Sequence, residues 1–309
     1  MDEIVAHVQT LQLGDAPSKI EAAEALVDLA YDDEESMDLI AEAGGIEALI
    51  HLVRDGSAEA KMMAARALDD LAHCDRILIA EAGGVLPLVH LLRNGSAEAK
   101  LLAARALGSL AWDDDNRVLI AEAGVIAPLV ELVRDGSADA KLLAVRALGS
   151  LAFNDDINLL IAEAGGVPPL VELVHDGSAE AKVEAAWAMR SLALDDDSRV
   201  LIAEAGGVPP LVELLRDGSA DAKEAAKWAL CNIVLDNAYN QFLIAAAVGL
   251  DALVELTRRG SVTVDGWWFV SHAAVPTKRK AALVVAALFR DCVPCEVPDD
   301  IKAASGSYL

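Results

Sequence analysis

The sequence predicts an all-α solenoid, a stack of near-identical helical repeats. Two series of markers and the composition predict it. The phrase IAEAG begins at Ile40, Ile79, Ile120, Ile161 and Ile202, with a degraded copy, IAAAV, at Ile244. The phrase Asp/Asn-Gly-Ser begins at Asp55, Asn94, Asp135, Asp176 and Asp217, and Gly-Ser returns at Gly260. Both series step by 39, 41, 41, 41 and 42 residues, so two independent markers keep one period. Apolar residues make up 54% of the 309-residue chain but aromatics only 4%, and the excess is Ala, Leu, Val and Ile, the composition of packed helices.

Residues 1–34 have room for two helices but carry no IAEAG, as expected of an N-terminal capping half-repeat whose outer face must meet water. Residues 35–291 then hold six repeats of three helices each. The first helix of a repeat is short, as in NRVLIAEAG, with Asn116 or Ser198 expected to cap its start and glycine to stop it. The second is exemplified by VPPLVELLRDG. Pro209 and Pro210 suit a first turn, where N–H groups have no intrahelical partner, and Leu211, Val212, Leu214 and Leu215 form an apolar stripe. The third, SADAKEAAKWALCNIVL, has Ser219 as its expected N-cap and Asp221 in the first turn, where the helix dipole favours it. The sixth repeat carries an insertion at about 261–277 that contains Trp267, Trp268 and Phe269. This insertion either folds over the last repeat as a cap or presents an aromatic anchor to a partner. Residues 292–309 read as a polar tail.

Stitched from several periods, IAEAGGVPPLVELLRDGSAEAK…AARALGSLA resembles the armadillo repeat consensus over nearly the whole chain. The resemblance implies a right-handed superhelix of three-helix repeats in which the third helices line the concave face. It also implies a protein–protein interaction scaffold that is not an enzyme and uses no cofactor or metal.

The repeats serve as an internal alignment of the third helix. Two slots four residues apart vary in polarity and share one helical face. The first reads Glu24, Arg66, Arg105, Arg146, Trp187, Trp228; the second reads Asp28, Asp70, Ser109, Ser150, Ser191, Asn232. The slot just before the second reads Val27, Asp69, Gly108, Gly149, Arg190, Cys231, a mixture that suggests its glycines are not forced by tight packing. Peptide-binding armadillo proteins such as the nuclear-import adaptors carry Trp-x-x-x-Asn at the two variable slots. Trp228–Asn232 matches that motif fully and Trp187–Ser191 matches half. The resemblance implies that Asn would hydrogen-bond the backbone of an extended peptide while indole faces hold cationic or apolar side chains. The alternative is that the two Trp cover the seam between helices. The expected peptide-binding residues are therefore Arg66, Asp70, Arg105, Ser109, Arg146, Ser150, Trp187, Ser191, Trp228 and Asn232. They would form a split groove in which the three Arg read carboxylates and the two Trp read apolar or basic groups.

The net charge of −25 argues against nucleic acid and against anionic membrane surfaces, both of which need clustered cations. It serves either solubility or attraction of basic partners. Acidic clusters at Asp32–Glu35, Asp113–Asp115, Asp155–Asp156 and Asp195–Asp197 precede the short helices and suit their N-termini. Cys292 and Cys295 have C-x-x-C spacing but follow an apolar helix at its C-terminal pole, where nothing lowers a thiol pKa. With Cys74 and Cys231 they make four cysteines, too few and too scattered for a disulfide framework. The N-terminus lacks a basic segment followed by an apolar run, so the expected setting is cytoplasmic or nuclear. The expected partner is a protein or peptide in extended conformation. The alternatives are a nuclear-import-like adaptor for basic signals and the substrate-recognition part of a ubiquitin ligase complex.

Overall fold

The computed structural model describes residues 2–32, 34–234 and Asn240, and every regular element among them is an α-helix. The chain divides between Ala164 and Gly165 into two units. In the first unit, α1 (Asp2–Leu13) and α2 (Ala16–Asp32) stand at the positions of a second and a third helix. They are followed by α3 (Glu34–Glu42), α4 (Gly45–Asp55), α5 (Ala58–Glu81), α6 (Val85–Asn94), α7 (Ala97–Leu110), α8 (Asp114–Glu122), α9 (Ile126–Asp135), α10 (Ala138–Leu151) and α11 (Asp155–Glu163). The second unit contains α12 (Val167–Asp176), α13 (Ala179–Leu192), α14 (Asp196–Glu204), α15 (Val208–Asp217) and α16 (Ala220–Ile233). The insertion at 261–277, the Cys292–Cys295 pair and the tail at 292–309 lie outside the described residues, as does the sixth repeat apart from Asn240.

Each second helix packs on the third helix of its own repeat, and third helices stack in a row: α2, α5, α7 and α10 in the first unit, α13 and α16 in the second. This is α-solenoid packing, in which no repeat buries its apolar stripe alone. The repeated letters are the core. Ile40, Ile79, Ile120, Ile161 and Ile202 are each 0% exposed, and so are Leu49, Leu88, Leu129, Leu170 and Leu211 at one slot of the second helix.

Local chemistry sets the boundaries. Ser57, Ser96, Ser137, Ser178 and Ser219 each accept a hydrogen bond from the backbone N–H three residues on, capping the third helices as expected for Ser219. Pro209 lies in the first turn of α15, where its missing N–H breaks no helical bond. The turn before α6 runs through Gly83 at φ 81°, a left-handed conformation that a Cβ disfavours. One expectation is corrected at the short helices. Their caps are Asp113, Asn154 and Asp195, which accept from the N–H groups of Asn116, Ile157 and Ser198. Asn116 instead turns inward: its Nδ2 donates to Arg76 O at 3.1 Å and Leu110 O at 3.2 Å, tying one repeat to the one before. Asn240 stands at the same repeat position and donates to Arg199 O and Ile233 O. An amide suits this place because it satisfies two buried carbonyls without a charge.

One repeat junction departs from the three-helix pattern. Between Ala72 and Ile79 the chain is two residues shorter than between Ala111 and Ile120. With no residues for a loop, the third helix of one repeat and the short helix of the next merge into α5. The merger kinks at Asp75, whose φ of −113° and ψ of 31° are not helical.

Candidate functional site: the third-helix face

The first-unit part of the face is built by α2, α5, α7 and α10. Arg66 on α5 and Arg146 on α10 are exposed, Arg105 on α7 is half-buried, and so are Asp70, Ser109 and Ser150. Glu24 and Asp28 on α2 are both exposed. The centre of this surface is a residue outside the expected set. Asp69 is 5% exposed, and its Oδ2 lies 2.5 Å from Arg105 Nε. Ser109 Oγ donates to its Oδ1 at 2.7 Å. A buried carboxylate here is compensated by a charge and a hydroxyl from the next repeat. Arg105 is therefore paired across helices with Asp69. Asp70 beside it is only partly solvated. Burial pushes its carboxyl above the usual carboxylate range and the Asp69 charge adds to the rise, while Arg105, Arg66 and His73 pull against it.

The glycine at the intermediate slot also differs from expectation. A Cβ on Gly108 would stand 3.3 Å from both Cα and Cβ of Ala147, so α7 and α10 approach closely at this point. Charge is tolerated at this slot in Asp69 because the neighbouring repeat supplies Arg105. Gly108 is there for space.

The second-unit part of the face is built by α13 and α16. Trp187 and Trp228, at equivalent positions of neighbouring repeats, are both half-buried. Arg190, also outside the expected set, lies between them. Its guanidinium carbon is 5.4 Å from the Trp187 ring centroid and 5.8 Å from that of Trp228. Both are cation–π distances. The chain's own guanidinium thus lies near both indoles, where a ligand cation was expected. Among the described residues Arg190 makes no ion pair, and its Nε is buried without a hydrogen-bond partner. The second variable slot is drawn into the repeat stack. Asn232 is 5% exposed and its Nδ2 donates to Arg190 O at 2.9 Å. Ser191 is 2% exposed and its Oγ donates to Trp187 O at 3.3 Å. Two signals in the sequence point to Arg190 and Asp69. Trp187 and Arg190 are three residues apart on one helical face, and an acid and a base stand one slot and one repeat apart at Asp69 and Arg105.

Among the described residues no group of three or more His, Cys, Asp and Glu side chains converges as a metal site requires, and no single helix is long and apolar enough to cross a membrane. Cys74 is exposed and Cys231 is buried.

The model of the armadillo/β-catenin-like repeat matches residues 75–112, 113–153, 154–194 and 195–235, which together cover more than half of the chain. Among solved structures, an engineered protein from the Northeast Structural Genomics Consortium is 33% identical with a TM-score of 0.72, over 75% of this chain and 97% of its own. A second engineered protein from the same consortium is 30% identical with a TM-score of 0.81, over 98% of this chain and 71% of its own. A designed armadillo repeat protein in complex with the peptide (KR)4 is 30% identical with a TM-score of 0.69, over 74% of this chain and 99% of its own. A search of the curated proteins found no match. Repeats of this kind typically form non-catalytic binding scaffolds. Four consecutive repeat matches over more than half of the chain place it in the armadillo/β-catenin-like repeat family as a protein-binding scaffold.

Proposed function

We propose that the third-helix face holds an extended segment of a partner protein, with the Trp187–Trp228 surface of the second unit as its principal seat. The observation that carries this reading is the pair of half-buried indoles at equivalent positions of α13 and α16. Large aromatic side chains left partly in water concentrate binding energy when a partner covers them. An extended peptide also brings unpaired backbone groups, which the Oδ1 of Asn232 and the polar face around it can meet. The designed relative bound to (KR)4 supports peptide binding by this fold.

A nuclear-import-like role for basic signals draws support from that relative and from the net charge of −25. The guanidinium already seated between the indoles opposes it. Affinity capture from lysate with wild type and with Trp187→Ala/Trp228→Ala tests the reading. The expected result is a set of proteins retained by wild type and lost by the double variant. Identical captures by the two, with the variant still folded, contradict it.

A further inference from the structure

We infer that Arg190 makes the Trp187–Trp228 seat a receptor for a carboxylate side chain, so that the peptide it prefers carries Glu or Asp there and not Lys or Arg. This rests on the peptide-binding reading above and names the ligand chemistry of that same seat.

A guanidinium withdrawn from water needs acceptors for its N–H groups. Cation–π contact with two indoles leaves the N–H groups of the Arg190 guanidinium still needing acceptors. Here those groups have no carboxylate partner among the described residues, and Nε is already withdrawn from water without a hydrogen bond. Arg105 at the corresponding face of the first unit has its carboxylate in Asp69. The position of Asp69 in its repeat corresponds to that of Arg190. Where the first unit buries an acid, the second places a base, and no ion pair reaches it among the described residues. A planar guanidinium carries N–H groups in the fork that matches a carboxylate. A ligand Lys or Arg would have to expel Arg190 from between the rings or lie against a like charge.

The charge of Arg190 favours an acidic group at this seat. The net charge of −25 acts in the opposite sense, drawing basic peptides to the molecule as a whole. Local and global electrostatics therefore predict opposite preferences, and binding experiments separate them.

The test is fluorescence anisotropy of labelled (DE)4 and (KR)4 peptides titrated with the full chain at about 0.15 M salt, where exposed charges are screened beyond about 8 Å. Wild type is expected to bind (DE)4 at least about tenfold more tightly than (KR)4. Arg190→Ala opens the space between the indoles to a ligand cation and is expected to reverse the order. Arg190→Gln keeps most of the side-chain volume and is expected to lose the (DE)4 preference, which guards against a packing defect in the alanine variant. Circular dichroism confirms that both variants remain folded. A wild type that prefers (KR)4, or variants whose preference equals that of wild type, overturns the inference and leaves the peptide-binding reading standing. Binding of neither probe by any of the three proteins overturns both.

Discussion

The third-helix faces of the two units use the same slots for opposite arrangements of charge. In the first unit, Arg105 of α7 reaches back to the buried carboxylate of Asp69 on α5, and Ser109 completes the acceptor. That surface is neutralised from within. In the second unit, the slot of Asp69 holds Arg190, which is stacked between two indoles and given no counter-ion among the described residues. The comparison teaches that a slot that varies between repeats does not always face solvent. Asp69 varies because the next repeat supplies its partner, and its pairing strengthens the stack. Arg190 is accommodated because its own repeat and the next each supply an indole within cation–π distance.

The largest expected effect of breaking this contrast lies in the first unit. Asp69→Ala removes a nearly buried carboxylate and leaves Arg105 and Ser109 without their acceptor. The loss is expected to be about 2 kcal/mol, reduced from the usual cost of breaking a buried pair because Arg105 is 37% exposed and turns to water. Urea denaturation followed by helicity measures it. Gly108→Ala follows. Its new Cβ meets the Ala147 backbone of α10, and overpacking outweighs the roughly 1 kcal/mol gain in helix propensity, for a net loss of about 1 kcal/mol. A gain in stability would show that α7 and α10 separate freely.

Ser96→Ala and Ser219→Ala remove the same cap in the two units, and each is expected to cost about 0.5–1 kcal/mol. Equal losses show that the units differ in side-chain chemistry and not in helix design. The smallest expected effect is at the kink of α5. Burial, followed by the charge of Asp38, raises the Asp75 carboxyl above its ordinary range, and its Oδ2 has no hydrogen-bond partner. A carboxyl raised in the folded state favours folding while protonated, and that contribution is lost as pH rises through the interval between its unfolded and folded pKa values. Asp75→Asn is therefore expected to melt slightly above wild type at neutral pH. The difference should shrink as pH falls to about 4, where the unfolded carboxyl also protonates. A variant less stable than wild type at neutral pH contradicts this assignment.

Much of the fold was legible because each repeat states its own boundaries. Ser219 and Asp-Gly-Ser mark the third helices, glycine after Ala82 marks a left-handed turn, and the isoleucine of IAEAG lies wholly in the core. Even the merged α5 has a trace in the sequence, since its repeat step is 39 residues where the next three are 41. The site was legible only in outline. Trp187 and Trp228 were found because they occupy one slot of the internal alignment in successive repeats. Arg190 and Asp69 take their meaning from a neighbouring helix 38 and 36 residues further on, through contacts that a one-helix alignment does not contain. Asn116 was misassigned for a related reason. Its place at the helix start suits a cap, but the two carbonyls that draw it inward come from stacking.

The most direct test of the contrast is the dissociation constant of (DE)4 for wild type, Asp69→Asn and Arg190→Gln measured in one series. Asp69→Asn keeps an acceptor for Ser109 but releases the Arg105 charge, so it is expected to tighten binding, while Arg190→Gln weakens it by about tenfold. Equal affinities for all three proteins, or a shift of both variants in the same direction, would contradict the account of a first face neutralised from within and a second left open to a carboxylate.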